Sequence, residues 1–185
     1  MMPKSNFLQK HSLILVVYSL VFVLITVGSI YSERFLTLRN LTNVLRQAAY
    51  LGTAALGEML VILTAGIDLS IGSLVKLSVL VSAILMDGNP DNVIMAVGLT
   101  LALGLGVGLL HAFFINELNL SPFVVTFASL FILQGISLTI TTKPIGRSSK
   151  DFLLLYSQKF FEVPIIVYFF GLVTLLIAFL LNMTV

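Results

Sequence analysis

Apolar positions in this chain come in long runs, not in alternation, and the polar positions gather between them. Six such runs stand out, at 13–31, 44–65, 69–86, 93–115, 122–140 and 164–181. At 1.5 Å of rise per residue, each is long enough as a helix to cross a hydrocarbon core of roughly 30 Å with some tilt. The alternating pattern of a barrel is absent, and lipid leaves no backbone group satisfied outside a helix or a closed barrel. The pattern therefore predicts an all-α, polytopic membrane protein with about six transmembrane helices. Two connections carry periodicity of their own. In "FLTLRNLTNVLRQ" (35–47), Leu38, Leu41 and Leu45 share one helical face, with Arg39, Asn43 and Arg46 off it. In "SSKDFLLLYSQKFF" (148–161), a Ser cap and an early Asp precede Phe152, Leu155, Tyr156 and Phe160 at helical spacing. Both predict short helices at the membrane interface, the second either interfacial or re-entrant.

Composition sharpens this picture. Of 185 residues, 58% are apolar and 10% charged, and the mean hydropathy is +1.11. A water-soluble domain of this size cannot hide so much apolar surface. The absence of Cys excludes disulfides, thiolate metal sites and cysteine nucleophiles. A net charge of +2, with no basic cluster, gives no support for a nucleic-acid partner. Lys4 and Lys10 precede the first run, which is too long for a secretory leader and lacks a small-residue cleavage site, so it reads as a retained span. The histidines, His11 and His111, have no second ligand nearby in sequence; no metal site, no catalytic residue and no enzymatic role is expected. His111 reads as a packed or interfacial side chain.

Small residues recur every fourth position as Thr100, Gly104, Gly108 and Ala112, and as Ala49, Thr53 and Gly57. Such stripes let helix backbones approach closely. "GLGVG" (104–108) has no preceding strand and no phosphate-binding Lys, so it too reads as packing.

The polar break "GIDLS" between the second and third runs is the main candidate for chemistry. Gly66 is expected to end the second helix in a left-handed conformation, with Asp68 and Ser70 capping the third and Gly72 completing the turn. The same break suits a solute path, because ionisable groups at membrane depth usually mark one. Glu58 lies ten residues before Asp68 and Lys76 eight after it. In an antiparallel pair the two reach similar depth, which predicts either a Glu58–Lys76 ion pair or a Lys76 side chain snorkelling to an interface.

At these residues a family resemblance enters. "LGTAALGEMLVILTAGIDLSIGSLVKLS" (51–78) closely resembles the signature of bacterial ABC-type sugar importer permeases of the ribose and galactofuranose class. "FLTLRNLTNVLRQ" and "LSPFVVTFASLFILQGISLTIT" (120–141) resemble flanking blocks of that family. Glu58 and Lys76 depart from the neutral residue and the Ala more usual there. The resemblance implies one transmembrane permease domain over 1–185, in the bacterial inner membrane, that binds no cofactor itself. It implies a second permease subunit (homo- or heterodimer), a cytoplasmic ABC ATPase that uses ATP, an extracytoplasmic sugar-binding protein and the lipid bilayer as partners. Candidate path residues, ranked by polarity at membrane depth, are Glu58, Asp68, Ser70, Ser73 and Gln134. Members of the family are nearly twice as long, and their "GR…Y…GGN" coupling segment does not occur in these residues; the expectation is the N-terminal portion of such a permease. The alternatives are a stand-alone six-helix channel or secondary carrier, or an inactive truncated permease.

The resemblance also implies a cytoplasmic N-terminus. Lys4 and Lys10 would then be inside, but Arg34, Arg39, Arg46, Lys143, Arg147, Lys150 and Lys159 outside. The positive-inside rule alone would invert the molecule.

Overall fold

The computed structural model of the chain describes residues 7–143 and 145–184. Lys4 lies outside the described residues, as do the side chains of Lys10 and His11. Among the described residues seven α-helices follow in chain order: α1 (Phe7–Tyr31), α2 (Leu38–Leu63), α3 (Ile71–Met86), α4 (Val93–Ala112), α5 (Pro122–Ile140), α6 (Lys150–Ser157) and α7 (Ile165–Thr184). A two-stranded antiparallel hairpin, β1 (Lys159–Phe160) and β2 (Val163–Pro164), joins α6 to α7. The chain divides into two compact units between Leu45 and Arg46, inside α2.

In the first unit, the window Ile14–Tyr31 of α1 has no buried residue. The Phe35 ring closes against it at Gly28, where a Cβ would stand 2.6 Å from Cε2 of that ring; a helix apolar on every side and so little covered needs an apolar solvent. Thr37 caps α2, its Oγ1 accepting from Asn40 N at 3.4 Å, and Asn40 Nδ2 donates to Phe35 O at 2.7 Å. The short helix expected over 35–47 leads into the second span and is continuous with it. With no Gly or Pro between Leu38 and Leu51, nothing interrupts the backbone ladder, and the segment becomes the first turns of α2.

Among the described residues four segments are long and apolar enough to cross a membrane: Ile14–Tyr31, Pro90–Glu117, Pro122–Ile140 and Ile165–Met183. The other two expected spans are helices but weaker candidates. α3 is apolar yet only 16 residues long. The 26 residues of α2 include Arg39, Arg46 and Glu58, which dilute its apolar character.

In the second unit, α3 packs against both α4 and α5. Ala49 of α2, Leu77 and Met86 of α3, Ala96 of α4, and Val125 and Leu133 of α5 are buried apolar residues in it. Gly52 on α2 lets α7 come close: a Cβ there would stand 2.6 Å from Cε2 of Phe170. The stripe on α4 does not pack as expected among the described residues, since a Cβ at Gly104 or Gly108 would meet nothing within 4 Å.

The connections segregate to two ends. At one end the α2–α3 and α4–α5 turns meet, where Thr126 Oγ1 donates to Ile67 O at 3.1 Å. At the other, the 145–149 segment docks on the end of α3: Arg147 N donates to Ala83 O (3.1 Å) and Gly88 N to Arg147 O (2.9 Å). Gly146 makes this docking possible. Its φ is +74°, and a Cβ would lie 2.5 Å from the Ala83 carbonyl carbon, so no other residue fits.

α6 starts where the Ser cap is expected: Ser149 is fully buried and its Oγ accepts from Phe152 N at 3.2 Å. The hairpin was not foreseen. Its turn residues, Phe161 and Glu162, hold φ of 46° and 62°, backbone that usually selects Asn or Gly. The Lys159 Nζ–Glu162 Oε2 ion pair (3.2 Å) and the Tyr168 hydroxyl donating to Phe160 O (2.9 Å) brace it.

Candidate functional site

The polar break between α2 and α3 is built from its own side chains. Ala65, not Gly66, takes the left-handed conformation (φ 57°) that turns the chain out of α2. Thr64, Ala65 and Gly66 N–H groups bond back to carbonyls of Val61 and Ile62, which tightens the end of the helix. Asp68 Oδ1 then accepts from both Ser70 N and Ser70 Oγ, each at 2.7 Å. This Asx-type closure orients the first turn of α3 and sets a carboxylate near its positive end. Ser70 occupies the N-cap position and is fully buried, but its side chain makes no capping bond of its own. Gly72 lies within α3, not in the turn.

Around Asp68 the helices bring further polar groups. Glu58 Oε1 accepts from Asp68 N at 3.4 Å, while Glu58 Oε2 is buried with no hydrogen-bond partner. His111, at the end of α4, stands between two elements. Its Nε2 shares a 2.8 Å hydrogen bond with Ser129 Oγ on α5, and its Nδ1 lies 4.0 Å from Asp68 Oδ2. The His111 and Asp68 side chains are 12% and 21% exposed, so both are largely screened from their surroundings by protein. Thr126, 3% exposed, donates to Ile67 O and to Pro122 O (2.9 Å). Together these contacts tie α2, the turn, α3, α4 and α5 into one knot.

Beside the knot lies a cavity of about 400 Å³, lined by Val61, Thr64, Gly66, Ile67, Asp68, His111, Ala112, Ile115, Asn116, Pro122 and Thr126. It combines apolar walls with a carboxylate, an imidazole, two hydroxyls and an amide, a set able to donate to and accept from a hydroxyl-rich solute. Among the described residues no group of three or more His, Asp or Glu side chains is placed to hold a metal ion.

Of the residues singled out from sequence, Glu58, Asp68 and Ser70 come together. Ser73 is half-buried on α3 outside the cavity lining, and Gln134 is exposed on α5. The Glu58–Lys76 ion pair does not form among the described residues. Lys76 is exposed beside the buried Leu77, and the one Lys–carboxylate contact within 4.0 Å among the described residues is Lys159–Glu162. The turn itself supplies Glu58 with a donor, which takes over the role expected of Lys76. His111, Thr126 and Ser129 were missed. A signal existed: His111 and Ser129 each lie nine residues from Leu120, so an antiparallel α4–α5 pair puts them at equal depth.

Comparison with known proteins agrees with this architecture. Residues 40–185 match the family described as branched-chain amino acid transport system, permease component. The chain belongs to that family. As a member of this permease family it is a multi-pass membrane protein. It is 32% identical over 154 residues to the D-allose transport system permease protein AlsC of Escherichia coli K12, covering 83% of this chain and 47% of that protein. It is 37% identical over 119 residues to the ribose import permease protein RbsC of the same organism, covering 64% and 37%. The galactose/methyl galactoside import permease protein MglC of Escherichia coli K12 is 32% identical over 132 residues, covering 65% and 39%. The chain thus spans less than half the length of these relatives. No solved structure matches it.

Proposed function

We propose that this permease chain contributes part of the solute path of an ATP-driven importer, with a monosaccharide as cargo. One observation carries the reading: Asp68, His111 and Thr126 face a common cavity at the meeting point of two helix–helix turns. Polar groups are costly at membrane depth, and a sugar stripped of water needs hydrogen-bond partners for its hydroxyls. Glu58 Oε2, buried without a donor, adds an acceptor nearby. The family description speaks of branched-chain amino acids, whereas the relatives above are named for allose, ribose and galactose. A neutral polyol suits the donor–acceptor set better, since a zwitterion would also require a cationic partner for its carboxylate.

In this reading residues 1–185 act as one permease domain of the bacterial inner membrane. A second permease subunit completes the path, a cytoplasmic ATPase pair consumes ATP, and an extracytoplasmic binding protein delivers the sugar. With the N-terminus cytoplasmic, the cavity lies at the cytoplasmic end and acts at release. The test is uptake by cells expressing the complete transport system with labelled ribose, allose, galactose or leucine. Uptake of one sugar, abolished by His111→Ala together with loss of the ATPase, supports the reading. Uptake of leucine alone overturns the cargo, and uptake that persists without any ATPase favours a channel or secondary carrier.

A further inference from the structure

A second cavity, about 600 Å³ in volume, opens between α2, α6 and α7, and its wall is nearly all apolar: Tyr50, Phe152, Tyr156, Ile165 and Phe169 form most of it. It lies at the opposite end of the bundle from the polar knot, beside the first turns of the apolar span Ile165–Met183. That is the level at which a membrane helix emerges from hydrocarbon into headgroups.

One cation sits beside it. Arg46 precedes Tyr50 by one helical turn on α2, and its guanidinium carbon stands 5.0 Å from the centre of the Tyr156 ring. Tyr50 and Tyr156 stack at 5.9 Å with 13° between their planes, so the guanidinium is fixed against an aromatic pair. Arg46 forms no ion pair among the described residues, and its Nε is buried without an acceptor. A guanidinium does not lose its proton, and Arg46, half-buried with only its Nε enclosed, keeps its charge without an anionic partner among the described residues. The site asks for an anion able to accept from the planar fork and carrying a long apolar body.

We infer that this cleft holds an anionic phospholipid drawn from the bilayer, its phosphate on Arg46 and an acyl chain along the Tyr156–Phe169 wall. A soluble anion would satisfy Arg46 but leave the apolar wall wet. A sugar would do neither. The inference rests on the membrane character of the chain and not on the transport reading.

The test uses the full chain, reconstituted in nanodiscs of equal parts phosphatidylglycerol and phosphatidylcholine, extracted, and weighed by native mass spectrometry. The wild type is expected to retain phosphatidylglycerol in preference. Arg46→Gln should lower that retention about tenfold, the loss of a charged hydrogen-bonded contact, and Arg46→Lys should fall between. Ile166→Trp, which fills the cleft with Arg46 intact, should lower it as well, whereas Arg34→Gln, an exposed cation on the other unit, should not. Circular dichroism of each variant separates loss of lipid from loss of fold; where Arg46→Gln fails to fold, Ile166→Trp decides. Equal retention of the two lipids overturns the inference, as does displacement of the lipid by excess inorganic phosphate, which would mark a free-anion site. A photo-cross-linker at Leu153 that captures polypeptide and no lipid would also overturn it, by showing that protein covers the cleft.

Discussion

Replacing Asp68 separates the two jobs assigned to its carboxylate. Oδ1 accepts two bonds of 2.7 Å from Ser70, and the charge sits at the start of α3. Asp68→Ala removes both bonds and the charge. Hydrogen bonds to charged groups contribute about 1.5–3 kcal/mol each, and the second bond to one oxygen adds less than the first, so about 3 kcal/mol is expected. Asp68→Asn keeps an oxygen in the Oδ1 position and loses mainly the interaction with the helix end, about 0.5–1 kcal/mol. The chain has no Trp and no Cys, so intrinsic indole fluorescence and native-thiol labelling are silent. Thermal and detergent unfolding followed by far-ultraviolet circular dichroism is the suitable assay. The expected order is wild type, then Asn close behind, then Ala well below. If Ala unfolds within about 0.5 kcal/mol of wild type, or Asn is as damaging as Ala, Oδ1 does not hold the turn and the assignment fails.

Three further outcomes follow from the geometry. Gly146→Ala places a side chain at φ +74° against the Ala83 carbonyl, and should destabilise the chain by about 2–3 kcal/mol in the same unfolding assay. Glu58→Gln and Lys76→Gln should be additive within about 0.3 kcal/mol in a double-mutant cycle; coupling well above that would mean the ion pair forms after all. Single cysteines replacing Glu117 and Lys150 should react with an impermeant reagent from opposite faces of the membrane, since those positions belong to opposite ends of the bundle. Reaction from the same face would contradict the arrangement. Labelling of position 150 in intact cells would give the resemblance precedence over the positive-inside rule.

The helices were legible because each is written locally, in a long apolar run. The fifth expected span, 122–140, coincides with α5, and the third ends with α3 at Met86. The helix over 35–47 runs on into the second span as α2, since its amphipathic pattern gives way to a fully apolar one with nothing in the backbone to stop it. The hairpin escaped because its turn uses Phe161 and Glu162, where a sequence reader looks for Asn-Gly. Half of the site was legible, because Asp68 and Ser70 are two residues apart. The rest joins distant positions: Thr126 reaches Ile67 across 59 residues and His111 reaches Ser129 across 18. No local pattern announces such a meeting, although depth counting would have found the second. The Lys76 error came from letting that counting choose a partner by charge, when a backbone N–H was nearer.

Thr126 grips the carbonyl of Ile67, the residue immediately before Asp68. Any slide of the first turn of α5 is therefore handed straight to the aspartate, like a cord tied one link from the latch. The 4.0 Å between Asp68 and His111 is slightly too wide for a hydrogen bond, so a small pull decides whether the pair clasps or parts. Because His111 is itself fastened to Ser129 on that same helix, a pure translation of α5 carries both halves along together.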